Sequence, residues 1–312
     1  MDKLLQWAII NSQTEKEDAP KSERSIDVEK IDPEIIDAIL GKPVSVQMQE
    51  CMDAIENLDY SVEDREVEFD NLEMLIEQID NAGNLEPLGL WPRIIAQLES
   101  TETEMRLGAL WVIGTAVQHN PKAQAAFSSH SGLENVLNTF KTDPKASVKT
   151  KAVYAISSYV RNNLVGFSEL VKLNGIEMLV DGIGSFPEVS KKIVFLFSAL
   201  VYESLDEIAG SDLRPPPSFP LAMIEKKIAY KLLDVIEMNL NGNFSIDSVE
   251  NSLKLLSLLQ KASENNHLST IFADINQKSK VDNFIKSIPT LKSKLEDSNL
   301  TSEEWKILEK IN

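Results

Sequence analysis

Between Met105 and Asn120 the large apolar residues fall at Leu107, Leu110, Trp111, Ile113 and Val117. Steps of three and four put them on one broad stripe of a helix. Gly108, Ala109, Gly114 and Ala116 lie between them, small enough to let a neighbouring helix approach closely. Pro121 predicts a halt, because proline lacks an amide donor and clashes with the preceding turn. A turn through Gly132 then leads into another apolar-periodic segment.

The unit recurs. A shift of 43 positions carries Ala109 to Ala152, Trp111 to Tyr154, Ile113 to Ile156, Val117 to Val160 and Asn120 to Asn163. The same shift carries Phe127 to Leu170, Gly132 to Gly175, Leu133 to Ile176 and Val136 to Leu179. A weaker copy follows at a shift of 41, taking Tyr154 to Phe195, Ile156 to Phe197, Ser157 to Ser198 and Val160 to Val201. Helical repeats of roughly 40–47 residues mark armadillo or HEAT solenoids, whose units bury their apolar faces only against neighbours. The expected fold is all-α, an armadillo-like helical-repeat solenoid over residues 31–312. Its clearest units are 105–147 and 148–190, with the weaker copy from 191.

Flanking elements follow the same logic. Asp32-Pro33 opens a helix that Gly41 closes, with Asp as cap and Pro at the first helical position. Ser61 to Asp80 reads as a helix capped by Ser61 and Asp64, with Phe69, Leu72, Ile76 and Ile79 as its stripe. It ends in a polar corner, Asp80-Asn81-Ala82-Gly83-Asn84-Leu85, which turn chemistry alone reads as a helix C-cap. Asp206 to Pro220, containing Pro215-Pro216-Pro217, predicts an extended insertion. Helical periodicity resumes over 221–240 and 248–260, short helices are expected over 271–295, and Thr301 with Glu304 forms a capping box.

Residues 1–30 stand apart. Leu4, Leu5, Trp7, Ile9 and Ile10 make an apolar cluster, and the charged stretch Thr14 to Lys30 reads as a flexible linker. An apolar cluster on a tether has two readings: it docks on its own solenoid, or it is a lure for another protein. The polar NSQ after it and the lack of a small-residue cleavage site make it a poor signal peptide.

Composition narrows the function. Hydrophobic residues at 43% support a real core, and the net charge of −18 repels phosphate backbones and anionic lipid, so neither nucleic acid nor membrane is an expected partner. Cys51 is alone, which excludes an internal disulfide and fits a reducing, cytoplasmic setting. His119, His130 and His267 have no second ligand at metal spacing. The segment Glu237 to Ser248 imitates a calcium loop but has Glu at its first position and Ser at its last. Asp181-Gly182-Ile183-Gly184 lacks the rest of a nucleotide fingerprint. No nucleophile–base pair is defensible from spacing. A monomeric binding protein without cofactor or metal is expected rather than an enzyme.

In a curved stack the concave face comes from the last helix of each unit. Gln118-His119-Asn120 and Arg161-Asn162-Asn163 recur at its helix ends, as C-caps or as contacts to a folded polar partner. The Trp-and-Asn array of peptide-gripping import adaptors is missing: Thr115 follows Trp111, and Ser158 follows Tyr154.

The segments LLQWAIINSQ, DPEIIDAILG, FDNLEMLIEQIDNAGNL, LGLWPRII and GTAVQHNP, in that order, closely resemble the armadillo-type nucleotide-exchange factors of cytosolic heat-shock protein 70 chaperones. The resemblance covers most of residues 1–183. Gly83, where an Asn is more usual, and the proline-rich insertion depart from it. The resemblance implies that the concave face embraces one lobe of the chaperone's ATPase domain and promotes ADP release. It also implies contact residues: Asp80, Asn81, Ala82 and Asn84 of the corner, Gln118, Asn120, Arg161, Asn162 and Asn163, and Lys192 in the third copy. Ala82 would act by smallness, leaving no room for a long side chain under a packed partner. The leading segment Leu4, Leu5, Trp7, Ile9, Ile10 would mimic a client in the chaperone's peptide groove. The alternative is an armadillo scaffold that binds extended peptides without exchange activity.

Overall fold

Each repeat folds as a long helix followed by two shorter ones, and the long helices lie side by side. The computed structural model describes residues 41–205, 213–242, 245–266 and 271–311. The N-terminal apolar segment, the Asp32-Pro33 helix start and His267 lie outside them. Among the described residues every regular element is helical. In chain order the helices are α1 (Val44–Glu56), α2 (Val62–Ile76), α3 (Ile79–Ala82), α4 (Leu90–Ala96), α5 (Thr103–Val117), α6 (Pro121–Ser129), α7 (Gly132–Thr142) and α8 (Ala146–Val160). They continue as α9 (Leu164–Lys172), α10 (Gly175–Gly182), α11 (Pro187–Leu205), α12 (Phe219–Glu225), α13 (Ile228–Asn241), α14 (Ile246–Asn265), α15 (Lys278–Lys294) and α16 (Ser302–Glu309). None of them is long and apolar enough to cross a membrane.

Helices α2, α5, α8, α11 and α14 form a row in which each packs on the next. Helix α5 shows why the small residues sit where they do. A Cβ on Gly108 would stand 2.4 Å from the Phe69 ring of α2, and one on Gly114 would stand 2.2 Å from the Tyr154 ring of α8. Glycine at these two points lets α5 seat against both neighbours at once. Met105, Leu110, Val112, Ile113 and Val117 are fully buried as a result, each large side chain contributing roughly 1.5–3 kcal/mol of burial. The sides of α5 that meet other helices are therefore lined by aliphatic and small residues. Trp111, expected on the core stripe, is 37% exposed.

Within each unit the turn after the long helix differs from the expected proline stop, and the long helix that carries the polar triplet is the first of its unit, not the last as expected. Helix α5 ends at Val117, His119 adopts φ 53°, and Asn120 caps α6 by accepting a hydrogen bond from Ala123 N at 3.2 Å. Pro121 is then the first residue of α6, where its missing N–H costs nothing. It starts a helix rather than stopping one. The second junction repeats this: Asn162 has φ 53°, and Asn163 caps α9 by accepting from Gly166 N.

Two further boundaries moved. Helix α2 keeps the Ser61 cap, with Asp64 N donating to it, but stops at Ile76. Extended backbone at Gln78 separates it from the one-turn α3. The break rotates Ile79 out of the stripe, leaving it 62% exposed, while Phe69, Leu72 and Ile76 are buried. Near the end of the chain a 17-residue helix, α15, replaces the expected short pieces, and Pro289 lies inside it. The Thr301–Glu304 capping box is formed as expected.

Candidate functional site

The corner between α2 and α4 and the two junctions that follow the long helices α5 and α8 lie at one end of the row. The Asn120 amide donates to Ile79 O at 3.0 Å, which ties the corner 79–84 to the α5–α6 junction. At the α8–α9 junction Arg161 Nε donates to the Glu203 carboxylate at 2.8 Å, and Asn162 N donates to its other oxygen at 3.3 Å. That links the second junction to the last turn of α11.

The expected contact residues divide sharply by availability. Ala82 and Asn120 are 2% and 3% exposed, so both belong to the interior of the corner. An arginine at Ala82 would disrupt the corner itself before it met any partner. Asn120 spends both ends of its amide, one as the α6 cap and one on Ile79. Asn163 does likewise, accepting from Gly166 N and donating to Tyr159 O. Asn81 donates to Leu75 O at 2.8 Å, closing the last turn of α2. The side chains of Asp80, Asn84, Gln118 and Asn162 carry no such bond and are exposed or half-buried. So the polar triplets act chiefly through N-capping of the helix that follows; the side chains of Gln118 and His119 in the first and of Asn162 in the second remain free.

Lys192 is exposed and lies elsewhere. It precedes Glu203 by eleven residues on α11, roughly 16 Å along a helix. The shift of 41 that takes Tyr154 to Phe195 also takes Lys151 of α8 to Lys192, which puts the two lysines level on packed helices where their charges repel. Lys151 stands over the Trp111 ring, 4.4 Å from its centre, and 5.7 Å from the centre of Tyr154. Burial holds the Lys151 ammonium below the ordinary lysine value; Glu73 opposes this, Lys192 adds to it, and Asp70 opposes it.

Around these lysines runs a set of residues that sequence reasoning assigned to the core. Trp111, Tyr154 and Phe195 occupy equivalent positions on α5, α8 and α11, and all three reach the open face of the row, Phe195 at 51% exposure. Tyr202, two turns beyond Phe195, is 61% exposed. The repeat register already aligned these aromatics. The missing signal was which side of the long helix its neighbours cover. Below them a polar chain crosses three helices: the Thr115 hydroxyl donates to Glu73 of α2 at 2.7 Å and lies 3.3 Å from the Tyr154 hydroxyl of α8.

No group of three or more His, Cys, Asp or Glu at metal-binding distance exists among the described residues. Cys51 is buried, and burial with a nearby Glu68 pushes its thiol up to about 12, away from nucleophilic character. His130 pairs with Glu86 at 2.8 Å. Ser245 caps α14, so the imitation calcium loop contains a helix start.

Comparison with known proteins adds the remaining piece. Residues 1–85 match the family described as nucleotide exchange factor Fes1, and residues 81–237 match the SIL1/FES1/HPBP1 C-terminal domain. The Hsp70 nucleotide exchange factor fes1 of Schizosaccharomyces pombe is 35% identical over 309 residues, 98% of each chain. Hsp70 nucleotide exchange factor FES1 of Saccharomyces cerevisiae is 35% identical over 225 residues, 69% of this chain and 75% of that one. Among solved structures, a designed armadillo repeat protein superposes with TM-score 0.55 at 14% identity, covering 84% of this chain and 96% of its own. A second engineered protein gives TM-score 0.57 at 13% identity over 84% of this chain. These two likenesses concern the fold, and they make the helical row an armadillo-like one.

Proposed function

The chain belongs to the Fes1 family of nucleotide exchange factors, and from that premise we propose that it binds the ATPase domain of a cytosolic Hsp70 chaperone through the open face of its long-helix row. The single observation that supports the choice of face is its composition. In an armadillo-like stack it is the side left uncovered, and it carries aromatics in register on three successive helices, exposed at Trp111 and Phe195 and half-buried at Tyr154. The relatives' names favour exchange over the peptide-scaffold alternative.

The mechanism is linkage. ADP is held between two lobes of its cleft, so a factor that binds better when one lobe is displaced weakens ADP binding by the same ratio. A coupling of about 1–3 kcal/mol corresponds to roughly 5–150-fold. No side chain of this protein touches the nucleotide, and it needs no metal, cofactor or catalytic residue of its own. It works as a monomer in the cytoplasm, without nucleic acid. The free rim residues Asp80, Asn84, Gln118 and Asn162, together with Lys192, contact the chaperone. Ala82, Asn81, Asn120, Arg161 and Asn163 hold the rim in shape. Leu4, Leu5, Trp7, Ile9 and Ile10 act as a client mimic.

Stopped-flow release of a fluorescent ADP analogue from a cytosolic Hsp70, with this protein titrated in, tests the reading. Acceleration that saturates with concentration is expected. Equal affinity for the nucleotide-loaded and empty chaperone would remove the mechanism.

A further inference from the structure

The net charge of −18 makes any uncompensated positive site on this protein an exception. Most lysines and arginines near the row are neutralised locally. Arg161 meets Glu203, Lys191 meets Asp247 at 2.6 Å, Lys254 meets Glu250 at 2.6 Å, and Lys261 meets Glu303 at 3.5 Å. Lys151 and Lys192 differ. Neither has a carboxylate within ion-pair distance among the described residues, and they are close enough to repel each other. The half-buried Lys151 ammonium is held in place over the faces of Trp111 and Tyr154 by cation–π attraction. Tyr154 is itself fixed against Gly114. Phe195 stands on α11 one turn from Lys192, half exposed. Two like charges are thus presented side by side on a rigid aromatic floor. Glu73 and Asp70 of α2 attract the Lys151 ammonium and offset this repulsion in part, but no ion pair forms, so a carboxylate arriving between the two lysines gains a charge-assisted contact that the empty face lacks.

We propose that Lys151 and Lys192, floored by Trp111 and Tyr154 and flanked by Phe195, form a socket for one carboxylate side chain of the chaperone's ATPase domain that lies beside an apolar residue. This socket rests on the exchange reading above and makes the middle of the open face, rather than its rim, the energetic centre of the interface. Aromatic residues and buried charge partners near an interface centre commonly carry most of its affinity.

The test is calorimetric titration of the full chain into the ATPase domain of a cytosolic Hsp70, at several salt concentrations. Lys151→Gln is expected to weaken binding about tenfold and to flatten the dependence of Kd on salt. Lys151→Arg should recover most of that affinity and the salt slope. Phe195→Ala should weaken binding about fivefold with the salt slope unchanged, because it removes only apolar contact. Lys141→Gln, on exposed α7 surface, loses the same charge elsewhere and should bind within about twofold of the parent protein. If the parent protein binds and Lys151→Gln binds equally with the same slope, the socket is refuted and the exchange reading survives. If Gln and Arg at 151 lose affinity alike, Lys151 is a packing residue and the socket is again refuted. If the parent protein does not bind, both inferences fall.

Discussion

The unit from 105 to 147 and the unit from 148 to 190 share one backbone and spend different chemistry on it. His119 and Asn162 both sit at φ 53°, and Ser131 and Asn174 at 53° and 55°. The second unit places asparagine at both left-handed positions, where that residue is well tolerated. The first uses histidine and serine, which are less suited. It compensates by packing. Phe127 lies between the rings of Trp91 and Tyr159, with centres 5.5 and 5.0 Å away, whereas its counterpart Leu170 makes no ring contact. Asn120 reaches across to Ile79, while Asn163 turns back onto the last turn of the preceding helix α8 at Tyr159. Repetition therefore conserves geometry at the turns and lets each unit choose how it is stabilised, locally or by its neighbours.

The sharpest way to break this parallel is at the paired glycines. A Cβ on Gly132 would stand 2.1 Å from the Phe127 ring, and one on Gly175 would stand 2.3 Å from a terminal methyl of Leu170. The boxed ring cannot yield, but a leucine methyl can swing. Gly132→Ala is expected to cost about 3 kcal/mol and Gly175→Ala about 1.5, read from urea denaturation midpoints. Equal losses would mean that backbone crowding, not the side chain beneath, sets the requirement.

A smaller effect is expected at the caps. Asn120→Ala removes a buried cap and strands the Ile79 carbonyl, so about 2 kcal/mol is expected, against about 1 for Asn163→Ala. Thermal melts of the two variants check the order. The smallest effect concerns the left-handed sites. His119→Asn should stabilise by about 0.5 kcal/mol, and Asn162→His should destabilise by a similar amount. A denaturant series with both variants would show opposite signs.

The comparison also explains what could be read in advance. The repeat was legible because Phe127 with Gly132, and Leu170 with Gly175, are each a single contact written five residues apart. The shift preserves them together since one without the other would clash. Ile79 was misplaced because the break at Glu77-Gln78 carries neither proline nor glycine to announce it. Trp111 was misplaced for a different reason. An apolar stripe identifies a buried side only when a helix has one covered face, and α5 is covered on two opposite sides by α2 and α8. Its small residues face the neighbours and its tryptophan faces outward, the reverse of the usual amphipathic rule. The rim residues came from family resemblance. Residue types alone could not tell that Asn120 and Asn163 were occupied as caps while Gln118 and Asn162 were free.

The hydroxyl of Thr115, set between Glu73 and Tyr154, works as a rivet through three layers of the row. Sliding α5 along its axis by a single residue would tear both polar contacts and drive the Tyr154 ring off Gly114, and sliding α2 or α8 would tear one of them. Shear between neighbouring helices is thereby blocked where the bearing surface is widest. One threonine hydroxyl thus keeps three long helices in register along their whole contact.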